Sequence, residues 1–323
     1  MRTKIIIFAF FISTFSYSQV NKVYNVKLTN PGTILDYVDF NSIEEITELT
    51  ISGTINKTDI DAIRRMKSLR KLDISGSAIL YNKDALNKAI SKINYSYQVA
   101  INFAAMFGKQ LSPQEIRKLK GEINAQVIQV TELYKSNTVL ETEIFKDFSS
   151  LEYLYLPNSI QMIGDGAFAN CTKLKEIILP VKLSSIGAEA FINCSNLKQI
   201  DLPYSINKIG EGAFQNCTNL EKGIINCDIN KISQNLFCRC SNLKEISISS
   251  SVKEISSSFI CYCDSLKIIR CYSAIPPKVN YSDNCSLDSY DNQRKDITFF
   301  FPKKSATAYV GSEWNNFFTI KTE

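Results

Sequence analysis

The 323-residue sequence contains no histidine. That absence excludes Ser-His and Cys-His nucleophile pairs, imidazole zinc sites and histidine-based pH switches. Carboxylate-only chemistry, as in glycoside hydrolysis, survives it, but no pair of acids stands out. No catalytic residue, cofactor or metal is therefore expected. Cysteine is missing from the first 170 residues, and all ten lie beyond them. Strong charge is missing too: the formal charge is +5, and without Arg2 and Lys4 it falls to 5 − 2 = +3. So mild a charge gives no reason to expect a nucleic-acid partner. Beyond the N-terminus no segment is apolar enough to cross a membrane. What remains, 45% apolar and 21% charged residues, is the composition of a folded protein.

The N-terminus reads as an export signal over residues 1–18. Arg2 and Lys4 make a basic start, Ile5 to Phe15 an apolar run, and Ser16 and Ser18 the small residues of a cleavage site before Gln19. The run is too short for a membrane span, and no cysteine nearby offers a lipid anchor. The expectation is an exported protein, extracellular, at the cell surface or periplasmic, with no integral membrane insertion after cleavage.

Most of the remaining chain repeats every 23 residues. Phe145, Phe168, Phe191, Phe214 and Phe237 share that step, with Ile260 next. So do Cys171, Cys194, Cys217, Cys240 and Cys263, and Leu151, Leu174, Leu197, Leu220, Leu243 and Leu266. Two further ladders start at Leu154 and Leu156, and the first of them contains Gly223. A fixed period in this range means a solenoid, because one repeat cannot bury its apolar face alone. The Leu-x-x-Ile-x-Leu segments predict short strands with alternate residues inward, pairing in parallel with the next copy.

The phrase Ile-Gly-x-x-Ala-Phe-x-Asn-Cys-x-x-Leu-x-x-Ile-x-Leu-Pro, starting at Ile163 and Ile186 and kept at Ile209, resembles the BspA-like bacterial leucine-rich repeat. The copies from Ile232 and Ile255 lose the glycine and the proline. Leu49-Thr50-Ile51 and Leu72-Asp73-Ile74, also 23 apart, resemble the N-terminal repeats of secreted Bacteroidota members. The segment from Ala274-Ile275-Pro276-Pro277 through Phe300, Phe301 and Tyr309 to Trp314 resembles that family's C-terminal cap. The resemblance implies a leucine-rich-repeat solenoid, a parallel β-strand ladder with a short irregular convex side. It also implies export and a role in adhesion or partner binding, without naming a substrate.

Between Ile74 and Phe145 the period breaks. Leu86, Ile90, Ile93, Tyr97, Ile101 and Ala104 form one helical stripe, with Gly108 as a stop. Ile116, Leu119, Ile123, Val127, Val130 and Tyr134 form another. Ser112-Pro113-Gln114-Glu115 is a capping box with proline in the first turn. The reading is an inserted α-helical hairpin that shields the solenoid or forms part of a partner site. The expected organisation is a signal at 1–18, an N-terminal cap and first repeats at 19–80, and the hairpin at 81–138. Regular repeats follow at 139–273, with a cap at 274–323 closed by aromatic residues.

The cysteine ladder reads as packed thiols, since equivalent positions of stacked repeats point the same way and a disulfide needs converging Cβ vectors. Cys227 and Cys285, off the ladder, are the candidates for a disulfide. Cys238-Arg239-Cys240 and Cys261-Tyr262-Cys263 lack the spacing of a zinc knuckle. The loop Asp283 to Asp296 lacks the glycine and spacing of a calcium loop. The Asn-Cys-Thr and Asn-Cys-Ser triplets at 170, 193 and 216 resemble glycosylation acceptors only because the repeat recurs. Binding residues are expected on the outward strand positions, which a solenoid presents as an extended concave surface. One column runs Tyr153, Glu176, Gln199, Lys222, Glu245, Ile268, and the other Tyr155, Ile178, Asp201, Ile224, Ser247, Arg270. This mixed chemistry suits a protein or glycan partner, with Tyr153 and Tyr155 as anchors beside the insert.

Overall fold

A computed structural model describes residues 21–38, 40–80, 83–106, 111–281 and 296–323. The expected signal, Gly108, Cys285 and the acidic loop short of Asp296 lie outside the described residues.

The outward columns sit on two five-stranded parallel sheets. The first is built from Lys22–Leu28, Ile46–Ile55, Lys71–Ile79, Tyr153–Tyr155 and Glu176–Ile178. The second is built from Lys222–Ile225, Glu245–Ile248, Ile268–Cys271, Thr298–Phe301 and Thr319–Thr322. The segment 199–202 between them forms no strand, although the period predicts one. Asp201 stands there where the preceding copies have Tyr155 and Ile178. A short acid is disfavoured in strands and supplies little cross-strand packing, and the ladder lapses at that repeat. On the other side of the coil run two further ladders of two- and three-residue strands. One starts at Val139–Leu140 and the other at Lys231–Ile232. The side expected to be irregular thus carries its own parallel pairing.

The apolar ladders make one continuous core. The phenylalanines at 145, 168, 191, 214 and 237 are buried, and successive rings stack with centroids 5.0 to 5.8 Å apart. Between repeats the backbone N–H of each phenylalanine donates to the carbonyl of the next turn, as from Phe168 to Ala190 at 2.8 Å. The glycines of the Ile-Gly step are required by this stacking. A Cβ on Gly187 would lie 2.5 Å from Asp165 N, and one on Gly210 2.3 Å from Ala188 N. Gly223 has a different cause: it takes a ladder position otherwise filled by leucine or isoleucine, and the Phe237 ring occupies the space, 3.0 Å from where a Cβ would sit.

The asparagines of the Asn-Cys step also have a structural cause. Asn170, Asn193 and Asn216 adopt φ near +60°, a left-handed conformation that asparagine tolerates better than most residues. Their side chains form a ladder, Asn216 Nδ2 donating to Asn193 Oδ1 and Asn193 Nδ2 to Asn170 Oδ1, both at 2.7 Å. Asn170 in turn donates to Asp147 at 2.6 Å.

The cysteine ladder packs as expected. Cys171, Cys194, Cys217, Cys240 and Cys263 are free thiols, each donating to the carbonyl of the residue 26 positions earlier, as from Cys194 to Phe168 at 3.3 Å. Burial pushes the Cys171 and Cys217 thiols up to about 12. One expectation needs correcting: Cys227, a disulfide candidate, is a buried free thiol. Cys261, off the ladder in its Cys-x-Cys pair, is disulfide-bonded instead. Cys261 lies two residues before its ladder neighbour Cys263, so the argument from parallel Cβ vectors does not govern it.

The insertion consists of helices Lys83–Met106 and Pro113–Lys135. The capping box forms, with Glu115 N donating to Ser112 Oγ and Ser112 N to Glu115 Oε2. Among the described residues the hairpin docks on the solenoid near its base, through buried Leu86, Tyr134 and Val139 and an ion pair from Lys92 to Asp165. Strand pairing continues across the insertion, with Lys71 opposite Tyr153. That separation is 153 − 71 = 82, one 23-residue period plus 59. At the C-terminal end Phe299, Phe301, Tyr309, Trp314 and Phe318 are buried. Trp314 Nε1 donates to Pro277 O at 2.8 Å and the Tyr309 hydroxyl to Ser273 O at 3.0 Å. These residues pack over the last turn of the core, whereas Phe300, also expected in that closure, is half-buried beneath Arg270.

Candidate functional site

The outward columns inherit their positions from the strand alternation. Leu154 is buried while Tyr153 and Tyr155 on either side are half-buried. Parallel pairing then sets Tyr153 opposite Glu176 and Tyr155 opposite Ile178. In the second sheet Lys222, Glu245 and Ile268 share one column, and Ile224, Ser247 and Arg270 the other. Gln199 and Asp201 are exposed on the unpaired segment between the sheets.

These residues are not equally available. Lys71 lies over the Tyr155 ring and Lys175 over the Tyr153 ring, each 5.9 Å from the centroid. Lys175 also donates to Glu152 at 2.7 Å, a bond that holds the ammonium above the usual lysine range. The two tyrosines are thus oriented, partly covered aromatic surfaces. Arg270 is committed within the chain: its Nε donates to Glu245 at 2.8 Å, its Nη1 to Glu323 at 2.9 Å, and its guanidinium covers Phe300. Ile178 and Ile224 are free of such cover, 54% and 42% exposed. They flank Asp201 on the outward face, the apolar part of the candidate site. The Lys-Glu steps at 175–176 and 244–245 contribute cross-repeat pairs, Lys175 with Glu152 and Lys244 with Glu221.

Beside Tyr153 is an open cavity of about 500 Å³, lined in part by Lys22, Lys67, Arg70 and Lys173. Sequence reasoning missed it. Its cations come from separate turns of the coil, and no local cluster marks them. Reading the period as a set of turns stacked at equivalent positions places 47 beside 70, and is the one signal that points there. The hairpin carries a second unforeseen feature. Tyr95, Val99 and Met106 are exposed and fall within about 40° of one another on a helix turning 100° per residue. Their face is opposite the docked Leu86. Among the described residues no group of three metal-binding side chains converges, and no helix is long and apolar enough to cross a membrane.

Stacked parallel strands on a 23-residue step, with a phenylalanine and cysteine ladder within, define a leucine-rich-repeat solenoid. The family model described as the BspA type leucine rich repeat region matches in six copies over residues 10–129 and 138–267, and the chain belongs to that family. The first matched stretch runs into residues that form the two hairpin helices, so repeat structure covers less of the chain than the match does. Among solved structures, a Treponema pallidum leucine-rich-repeat protein is 31% identical over 43% of this chain and 64% of its own, with a TM-score of 0.40. A leucine-rich cell surface protein from Faecalibacterium prausnitzii is 20% identical over 50% and 58%, with a TM-score of 0.39. The pneumococcal vaccine antigen PcpA is 14% identical over 86% and 60%, with a TM-score of 0.44. The chain spans less than two thirds of the length of each of these structures. No curated protein matches it.

Proposed function

We propose that the chain is an exported, non-catalytic binding protein whose partner, a protein or a glycan, contacts the outward columns of the strand ladder at the cell surface. The observation that carries this reading is the pair of exposed isoleucines, Ile178 and Ile224, with Tyr155 opposite Ile178. Apolar side chains held outward on a paired backbone lose little entropy on binding, and aromatic residues beside them serve as anchors. Membership of the BspA type leucine-rich-repeat family supports an adhesin-like role at the cell surface.

Capture of matrix proteins and glycans by the full chain tests the reading. The double variant Tyr153→Ala/Tyr155→Ala should weaken the captured partner at least tenfold, since aromatic anchors contribute about 2 kcal/mol when they are hot spots. Unchanged affinity would remove both tyrosines from the site. Failure to capture any partner would favour a structural envelope component instead.

A further inference from the structure

The cavity beside Tyr153 has an uneven charge. Lys22, Lys67, Arg70 and Lys173 line it against a single acid, Glu45, a balance of 4 − 1 = +3. Lys22 pairs with Glu45, and Lys67 with Glu44 at 2.7 Å. Even with Glu44 counted, the balance stays at 4 − 2 = +2. Arg70 and Lys173 have no acidic partner among the described residues. The Arg70 guanidinium spends Nη2 on Asn21 Oδ1 at 2.9 Å, and its buried Nε has no acceptor. A buried donor without an acceptor is costly, and here it belongs to a fixed cation at the wall of an open cavity. The cavity adjoins the tyrosine column through the backbone, since Tyr153 N donates to Arg70 O at 2.9 Å.

We propose that this cavity binds a segment of an acidic polysaccharide, its carboxylates or sulfates against Arg70 and Lys173 and a neighbouring sugar ring against Tyr153. The proposal rests on the partner-binding reading above and names the partner's chemistry. Three observations select that class. About 500 Å³ lies in the range of small-ligand sites and far exceeds a lone oxyanion. The cations come from separate turns, which matches a ligand carrying an anion on successive units. An extended peptide would gain most of its affinity from bonds to a free sheet edge. The strands Ile46–Ile55 and Lys71–Ile79 beside the cavity are paired on both sides, and Lys22–Leu28, the edge strand of the sheet among the described residues, meets the cavity through Lys22 alone. A glycan needs no such edge, and its ring faces stack on aromatic side chains while its anions take charge-assisted bonds from Arg and Lys.

The test is titration of the full chain with polygalacturonate, chondroitin sulfate, neutral dextran and polyglutamate at two salt concentrations. One or both acidic glycans should bind and dextran should not, which also decides between carboxylate and sulfate. Lys173→Gln and Arg70→Gln should each weaken binding about tenfold and flatten its salt dependence. If Arg70→Gln lowers the melting temperature, Lys173→Gln carries the test alone, because Lys173 is an exposed lysine. Wild-type affinity in Lys173→Gln would overturn the proposal. Equal binding of polyglutamate, with the same sensitivity to Lys173→Gln, would overturn the glycan assignment in favour of an acidic peptide. If no acidic glycan binds while a captured partner is still lost on Tyr153→Ala/Tyr155→Ala, this inference fails and the broader reading stands.

Discussion

A methyl group placed on Gly187 should separate two repeats that the same methyl on Gly121 leaves untouched. At Gly187 a Cβ would meet Asp165 N and Gly164 C at 2.5 Å, backbone atoms that cannot rotate away. Reaching an ordinary contact of about 3.4 Å needs a shift of nearly 1 Å between neighbouring turns. That shift falls on the bonds stitching them, Gly187 N to Ile163 O and Gly166 N to Ala188 O, both 2.8 Å. It also falls on Ala188 N to the Asp165 carboxylate at 2.7 Å. Overpacking costs about 1–3 kcal/mol, and weakening two or three buried bonds adds about 1 kcal/mol each. Gly187→Ala should therefore cost about 3–5 kcal/mol, or about 6–15 °C in Tm for a domain of this size. Gly121 lies mid-helix in the hairpin with nothing within 4 Å, so Gly121→Ala should instead stabilise that helix by about 0.5–1 kcal/mol. Urea titration followed by far-ultraviolet circular dichroism on the pair reads both signs. The first transition is the relevant one, because a solenoid need not unfold in a single step. Equal midpoints for Gly187→Ala and the wild type would refute the claim that glycine is there for close approach of the backbone.

Asn193→Ala removes two ladder bonds and places alanine at φ +61°, for a loss of about 2–3 kcal/mol. Asn193→Gly restores the backbone term alone and should recover about 1 kcal/mol in the same titration. The core thiols predict a loss of stability in alkali. The Cys171 and Cys217 pKa values are raised by burial to about 12, whereas an unfolded thiol titrates near about 8.5. Their stabilising contribution is therefore complete below about pH 8.5. It is lost as pH rises from there toward 12, at up to about 1.4 kcal/mol per unit for each thiol. Urea midpoints at pH 7.5, 9 and 10 should fall accordingly, and Cys171→Ala/Cys217→Ala should flatten the fall; an unchanged slope would show that these thiols do not carry it.

The apolar ladders were legible because burial in a solenoid repeats. A leucine at 151 and another at 174 face the same core for the same reason, and both are fully buried. The capping box at Ser112 and the aromatic closure around Trp314 were legible as local chemistry and as a supply of large apolar side chains. The Asn-Cys step was visible as a pattern, but its cause was not. Only the backbone shows the left-handed turn, and only stacking shows the side-chain ladder. The binding columns were legible as addresses rather than as a site. Arg270 had the chemistry of an anchor, yet Glu323, 53 residues later, holds it.

The sequence by itself determined the period, the inward ladders and the place where a hairpin interrupts them. Each of these follows from the alternation of apolar and polar residues along one stretch of chain. Tertiary structure alone decided that the strand ladder divides at Asp201 and that Cys261, not Cys227, is disulfide-bonded. It also decided that Lys22, Arg70 and Lys173 share one cavity. Those outcomes depend on which side chains a turn meets one or more repeats away, and on the net balance of charge there. Apolar burial needs only a direction, inward; a polar or charged group needs a particular partner, and the coil chooses it.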